Sequence, residues 1–207
     1  MLSRRFKTIF VHVPKTAGQS IERVFLKEHG LTWRTRAELL MCRNANPGLG
    51  PRRLAHLYAR EYVACGHVEA GEYAAYFKFA VVRNPYDRFI SEYRFREPRR
   101  LRSPERFLAE SGDDPFSGRH LAPQIAFVRD GAGATIVDEI LRFECLNEDI
   151  APLFRRLFDT PAMLPRTNRS KAPAIDRADL GADLLRSIYK RYEADFDAFG
   201  YASGFRR

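Results

Sequence analysis

The sequence predicts an α/β protein with a mostly parallel sheet flanked by helices. Three observations carry this. Short runs of β-branched and aromatic residues alternate along the chain with longer stretches of helical periodicity. Two of those runs end in a tight loop that leads straight into a helix. Repeated strand–loop–helix units place parallel strands in one sheet, with helices over its faces.

The elements follow in order. Phe6–Val13 reads as a buried strand, and Pro14 stops it. Lys15-Thr16-Ala17-Gly18-Gln19-Ser20 is small and polar, after which Ile21, Val24 and Phe25 recur at helical spacing. Residues 44–51 form a loop by their Asn, Pro and Gly content. Tyr62–Cys65 reads as a second, short strand ending at Gly66-His67, and Phe77–Val82 as a third. Asn84 suits an N-cap and Pro85 the first helical turn, with Phe89, Ile90 and Tyr93 marking the apolar face. Residues 97–106 form a basic connector, and 123–128 belong to another helix. Asp138–Leu146 reads as a fourth strand, although its first four residues fit a helix equally well. Asn147 caps a helix with Glu148 and Asp149 in its first turn and Ile150, Leu153, Phe154, Leu157 and Phe158 on its apolar face. A loop rich in Pro, Asn and Arg spans 161–173. The last helix carries Leu184, Leu185, Ile188, Tyr192, Phe196 and Phe199, and Gly200 closes it.

At 207 residues the chain fits one domain, and 45% hydrophobic residues support a sizeable core. Aromatic residues at 13% argue against disorder. The net charge is +9, and 29 of the 35 basic residues are arginine. Such a surplus points to an anionic partner: nucleotide, nucleic acid, acidic glycan or anionic membrane. Cys42, Cys65 and Cys145 form no CxxC pair, so neither a zinc ribbon nor a disulfide framework is indicated. A reducing, cytoplasmic compartment is the expectation. No apolar run reaches the roughly 18 residues of a membrane span, and 6–13 lacks the form of a signal peptide.

Two motifs carry chemistry. At the first, a loop between a strand and a helix N-terminus offers backbone N–H groups and a positive dipole end, a ready anion site. Gly18 allows close backbone approach, Lys15 adds a mobile point charge, and Thr16, Gln19 and Ser20 add neutral donors. The upstream glycines of G-x-x-x-x-G-K-[ST] are missing, which disfavours a metal-dependent kinase. At the second, Arg83 stands where a buried strand ends and a helix begins, on the edge of the sheet where α/β proteins bind ligands. Asp87, Ser91 and Arg94 share one helix face, so the Ser91 hydroxyl can reach the anion that Arg83 grips. Two such sites in one small protein favour a ligand with two separate phosphate groups.

Together, Phe10-Val11-His12-Val13-Pro14-Lys15-Thr16-Ala17-Gly18-Gln19-Ser20 and Phe79-Ala80-Val81-Val82-Arg83-Asn84-Pro85-Tyr86-Asp87-Arg88-Phe89-Ile90-Ser91-Glu92-Tyr93 resemble the sulfotransferase family. The likeness is to the carbohydrate sulfotransferases of the heparan sulfate 2-O- and chondroitin types and their bacterial relatives. Gly66-His67, Pro123-Gln124, the segment 141–149 and the segment 195–201 extend it in order along the chain. The resemblance implies a P-loop-like three-layer fold, as a single domain over 1–207, without nucleoside triphosphate hydrolysis. It implies 3′-phosphoadenosine 5′-phosphosulfate (PAPS) as donor and no metal. Lys15, Thr16, Ala17, Gly18, Gln19 and Ser20 would form the 5′-phosphosulfate loop. Arg83 and Ser91 would hold the 3′-phosphate, with Arg169 and Lys171 as late-loop contacts. The acceptor would be a hydroxyl-bearing carbohydrate or glycoconjugate, acidic glycans and glycolipids included, and no nucleic acid is expected.

Sulfuryl transfer, like phosphoryl transfer, rests mainly on positioning and charge stabilisation. Lys15 is expected to stabilise the bridging oxygen as it leaves. His67 is the expected base, and the resemblance also places a catalytic histidine after that strand; Glu69 and Glu72 are its rivals. His12, inside the first strand, reads as a core or supporting residue, and nothing in the sequence singles out His29, His56 or His120. Arg94, Arg96, Arg99, Arg100, Arg102 and Arg106 either bind an acidic acceptor or are solvated. The competing classes are a P-loop kinase, a PAPS binder without turnover, and a basic nucleic-acid-binding module.

Overall fold

The computed structural model describes residues 1–99, 101–112, 119–158, 164–165 and 175–205. Its strands are β1 (Leu2–Ser3), β2 (Thr8–Val11), β3 (Phe77–Val82) and β4 (Glu139–Arg142). The helices are α1 (Gly18–Glu28), α2 (Glu61–Ala64), α3 (Ala70–Ala75), α4 (Pro85–Arg96), α5 (Pro104–Glu110), α6 (Ile125–Val128), α7 (Leu146–Phe158) and α8 (Ala182–Phe199). The strands form one sheet in the order β1-β2-β3-β4. β1 runs antiparallel to β2, and the other pairings are parallel. In register, Phe10 faces Phe79 and Val81 faces Leu141.

Successive strand residues point to opposite faces. Phe10, Phe79, Val81 and Leu141 therefore turn to one side, against Ile21, Val24 and Phe25 of α1 and Ile150, Leu153 and Phe154 of α7. Ile9, Val11, Ala80 and Val82 turn to the other, against Tyr62, Phe127, Val128 and Phe199. With both faces covered, these strands need the continuous apolar runs that the sequence carries. A further cluster packs Tyr86, Phe89, Ile90 and Tyr93 of α4 on Leu184, Ile188, Tyr192 and Phe196 of α8. Each fully buried Val, Ile or Phe here contributes about 1.5–3 kcal/mol. No helix among the described residues is long and apolar enough to cross a membrane.

Four expectations are corrected. Tyr62–Cys65 is not a strand: 61–64 form α2, and β1 takes the place beside β2. The Glu61 carboxylate accepts from the Tyr58 backbone N–H at 2.8 Å, which starts the turn. A four-residue apolar run carries too little periodicity to separate strand from helix. The fourth strand ends at Arg142, and a 3₁₀ turn, Phe143–Cys145, leads into α7. Asn147 thus lies inside the first turn of α7 rather than capping it. The basic connector is partly helical, with Ser103 capping α5 through the Arg106 N–H.

Three buried polar residues, Arg88, Gln124 and Asp195, and the exposed Glu144 tie the ends of β2 and β3 to the rest of the molecule. Arg88, 2% exposed, donates to the carbonyls of Pro14 (3.1 Å), His120 (2.8 Å) and Ala122 (2.8 Å). The Gln124 side chain donates to the Arg83 carbonyl and accepts from the Arg83 N–H, at 2.8 and 2.9 Å. Asp195 of α8 accepts from the N–H groups of Gln124 and Ile125, both at 2.8 Å. Glu144 accepts from the Asn84 N–H at 2.7 Å and the Tyr201 hydroxyl at 2.9 Å. The later segments that carry the family likeness therefore serve chiefly to hold the second motif.

Candidate functional site

The C-terminal ends of β2 and β3 open into one cleft of about 1060 Å³, lined by residues of both motifs. Its floor is the loop 14–20 and the start of α1. Ala17, the residue before α1, is left-handed at φ 67°, and so is Lys15 at φ 71°. Non-glycine residues hold this conformation at a cost that functional loops often carry. No side chain caps α1 and its first turn holds no carboxylate. The Ser20 N–H turns back to the Ala17 carbonyl at 2.9 Å, and the positive end of the helix dipole, at the cleft, favours an anion.

Lys15, Ala17, Gly18, Gln19 and Ser20 all line the cleft. Thr16 does not: it is fully buried, and its hydroxyl donates to the Val13 carbonyl at 2.8 Å. Its part is to fix the loop. A Cβ built on Gly18 would stand 2.0 Å from the His12 ring, so only glycine fits beneath that imidazole. Burial pushes the Lys15 ammonium below its usual value; Glu92 opposes this and Arg83 adds to it. Its Nζ stands 4.1 Å from the centre of the Phe95 ring.

Arg83 reaches the same cleft from the end of β3, with its guanidinium 4.2 Å over the Phe143 ring. Burial lowers its pKa, against the opposing charges of Asp87 and Glu144. One terminal nitrogen donates to the Lys15 carbonyl at 3.4 Å, while the buried Nε has no partner among the described residues. A desolvated cation with an unspent donor suits a phosphate. Asp87, Ser91 and Arg94 line the cleft beside it, as the helical spacing predicts. Much of the remaining arginine cluster is internally paired: Arg96 with Glu92, Arg102 with Glu97 and Glu110, and Arg106 with Glu110. Arg169 and Lys171 lie outside the described residues, as does Arg100 of the cluster.

His67 is not brought to this cleft. Its Nε2 lies 2.8 Å from the Leu49 carbonyl, and the cleft is lined without it. The turn after α2 carries it there, because the expected strand before it does not form. Glu69 and Glu72 flank the start of α3 and also lie outside the lining; Glu72 accepts from the Tyr76 hydroxyl at 2.7 Å.

Three other histidines line the cleft: His12, His56 and His120. Their rings pack edge to face, His12 to His56 at 4.6 Å and His56 to His120 at 5.0 Å between centroids. Each engages Nδ1: His12 with Glu22 at 2.7 Å, His56 with the His12 carbonyl at 3.1 Å, and His120 with Glu92 at 3.0 Å. His56 and His120 are 64 residues apart, and no local pattern announces their meeting.

Burial, reinforced by His12 and His120, pushes His56 well below its usual value. The folded protein thus refuses a proton that the unfolded chain accepts near pH 6.5. Stability should be full above pH 6.5 and fall as pH drops below it, by up to about 1.4 kcal/mol per pH unit from this group. Urea denaturation at pH 7 and pH 5 should show a smaller acid loss in His56→Gln than in wild type; equal losses would contradict the assignment.

A family comparison matches residues 1–202 to the sulfotransferase family. The chain belongs to that family. No match was found among curated proteins or among solved structures. The match embraces both strand-end motifs and the residues that brace them, so this sulfotransferase carries its family's signature over nearly its whole length. Membership of that family supports sulfuryl transfer as the protein's general chemistry.

Proposed function

We propose that this sulfotransferase moves a sulfuryl group from PAPS to a hydroxyl of a carbohydrate or glycoconjugate. One observation carries the reading: an uncapped helix end beside Lys15 shares one cleft with a half-buried Arg83, whose buried Nε has no partner among the described residues. A donor with phosphate groups at two ends matches that pair. Lys15, Ala17, Gly18, Gln19 and Ser20 would hold the phosphosulfate end, with Thr16 supporting them from beneath. Arg83 and Ser91 would hold the 3′-phosphate. Lys15 would oppose the charge that grows on the bridging oxygen.

The wall formed by 33–53 faces the acceptor in this reading. Trp33 is 40% exposed, with the Arg36 guanidinium 4.9 Å over its ring. Arg43 and Arg53 line the same wall and form no salt bridge among the described residues. A flat aromatic edge with free cations suits an acidic sugar.

The test is transfer of labelled sulfate from PAPS to a panel of glycans, glycolipids, small alcohols and phenols. Arg83→Ala should weaken donor binding by about 1.5–3 kcal/mol, roughly 10- to 150-fold in Kd. PAPS binding undiminished in a Lys15→Ala/Arg83→Ala double variant would sink the proposal.

A further inference from the structure

We propose that His120, held on the buried carboxylate of Glu92, is the base that takes the acceptor's hydroxyl proton. This rests on the sulfuryl-transfer reading above and names the residue that completes it. A base must stand in the cleft, near Lys15, with one ring nitrogen anchored and the other open.

His120 meets each condition. It lines the cleft, and its side chain is 17% exposed, against 6% for His12. Its Nδ1 is bound at 3.0 Å to Glu92, whose side chain is 1% exposed. Its Nε2 has no hydrogen-bond partner among the described residues. The backbone is fixed as well, because Arg88 grips the His120 carbonyl at 2.8 Å.

Lys15 and His120 both pack on Phe95. The His120 ring stacks on it, with centroids 6.2 Å apart and planes 15° apart, and Lys15 Nζ stands 4.1 Å from the same ring centre. Glu92 also raises the proton affinity of Lys15. One carboxylate thus serves both the cation and the histidine. Burial pushes the Glu92 carboxyl up, but His120 and Arg96 outweigh it and hold it below its usual value. It therefore stays ionised beside an imidazole that gains charge.

Of the other two histidines, His56 is buried and resists protonation. His12 lies under Gly18 of the loop, paired with Glu22. Neither is as open to an incoming hydroxyl as His120.

The step balances. The acceptor oxygen bonds to sulfur as its proton passes to His120 Nε2. The bond from sulfur to the 5′-phosphate oxygen breaks, and its electron pair leaves with adenosine 3′,5′-bisphosphate. The products are a sulfate ester, the bisphosphate and one proton, which His120 returns to solvent. Glu92 is a positioning residue, since it acts through the imidazole.

The experiment compares wild type with His120→Ala, His120→Asn, Glu92→Gln and His67→Ala. His120→Asn keeps an amide donor toward Glu92 and guards against a folding defect. Both His120 variants should lower kcat by about 10²–10⁴-fold and leave KM for PAPS and the Kd of adenosine 3′,5′-bisphosphate unchanged. Added imidazole should restore part of the activity of His120→Ala. The downfield ring N–H resonance expected of a carboxylate-bound histidine should vanish in the His120 variants and move upfield in Glu92→Gln. His67→Ala should transfer at the wild-type rate. Full activity in His120→Asn, or loss confined to His67→Ala, would overturn the proposal. A wild-type chain that fails to bind the bisphosphate would instead refute the donor assignment, and the same titration reads that separately.

Discussion

Lys15→Ala is expected to cut kcat for sulfuryl transfer by about 10²–10³-fold, the usual loss when a donor aimed at developing charge is removed. The ammonium stands at the entrance of the loop proposed to hold the phosphosulfate, and burial has already stripped part of its hydration. A desolvated charge interacts more strongly with a growing negative charge than a solvated one does. The backbone makes the substitution a clean test. Position 15 is left-handed, and alanine tolerates that region no better than lysine, so the loop's strain is unchanged. Steady-state and single-turnover kinetics should show kcat falling far more than donor affinity. A variant within threefold of wild type would remove Lys15 from the chemistry.

Arg88→Met should cost about 3–5 kcal/mol of stability, lowering Tm by roughly 6–20 °C. Methionine fills much of the volume but leaves the carbonyls of Pro14, His120 and Ala122 without their donor. It also deprives Asp195 of a nearby cation. Burial already pushes that carboxyl up, and Arg88 is the first influence holding it down. Arg88→Lys should rescue little, because one ammonium cannot span three acceptors in the guanidinium's fixed fork. Thermal and urea denaturation measure the effect, and a loss below 1 kcal/mol would show that the brace is dispensable.

The parts of this molecule that the sequence discloses are those written in local chemistry. β2 and β3 are continuous apolar runs because both faces of the sheet are covered. α4 opens with an Asn–Pro pair whose cap forms as expected, Asn84 accepting from the Tyr86 N–H at 3.0 Å. Gly200 closes α8 in the left-handed conformation. Lys15, Gly18, Arg83 and Ser91 could be named because strand ends and helix starts place them, and the cleft gathers all four. The histidines were another matter. His67 follows a run that reads as a strand and folds as a helix, and it leaves the site with that turn. His120 acquires its meaning from Glu92 on α4 and from Arg88, which pins its backbone. Contacts between residues about 30 apart in sequence leave no periodic trace.

In the proposed reading, the loop 14–20 meets the donor through main chain as well as through Lys15, Gln19 and Ser20, which line the cleft. Backbone N–H groups only donate, so they suit the ionised oxygens of a sulfate or phosphate and read nothing of the rest of the molecule. Side chains at 16 and 17 add no polar contact to the cleft, since one is turned inward and the other is a methyl group. Selection among phosphate esters would then fall to the second strand end, where Arg83 lies beside the loop, 3.4 Å from the Lys15 carbonyl. There, in the same reading, Arg83 would ask for a second anion. The loop would grip and the second strand end would choose, so a change of donor in this scaffold would begin at residue 83 rather than at residue 15.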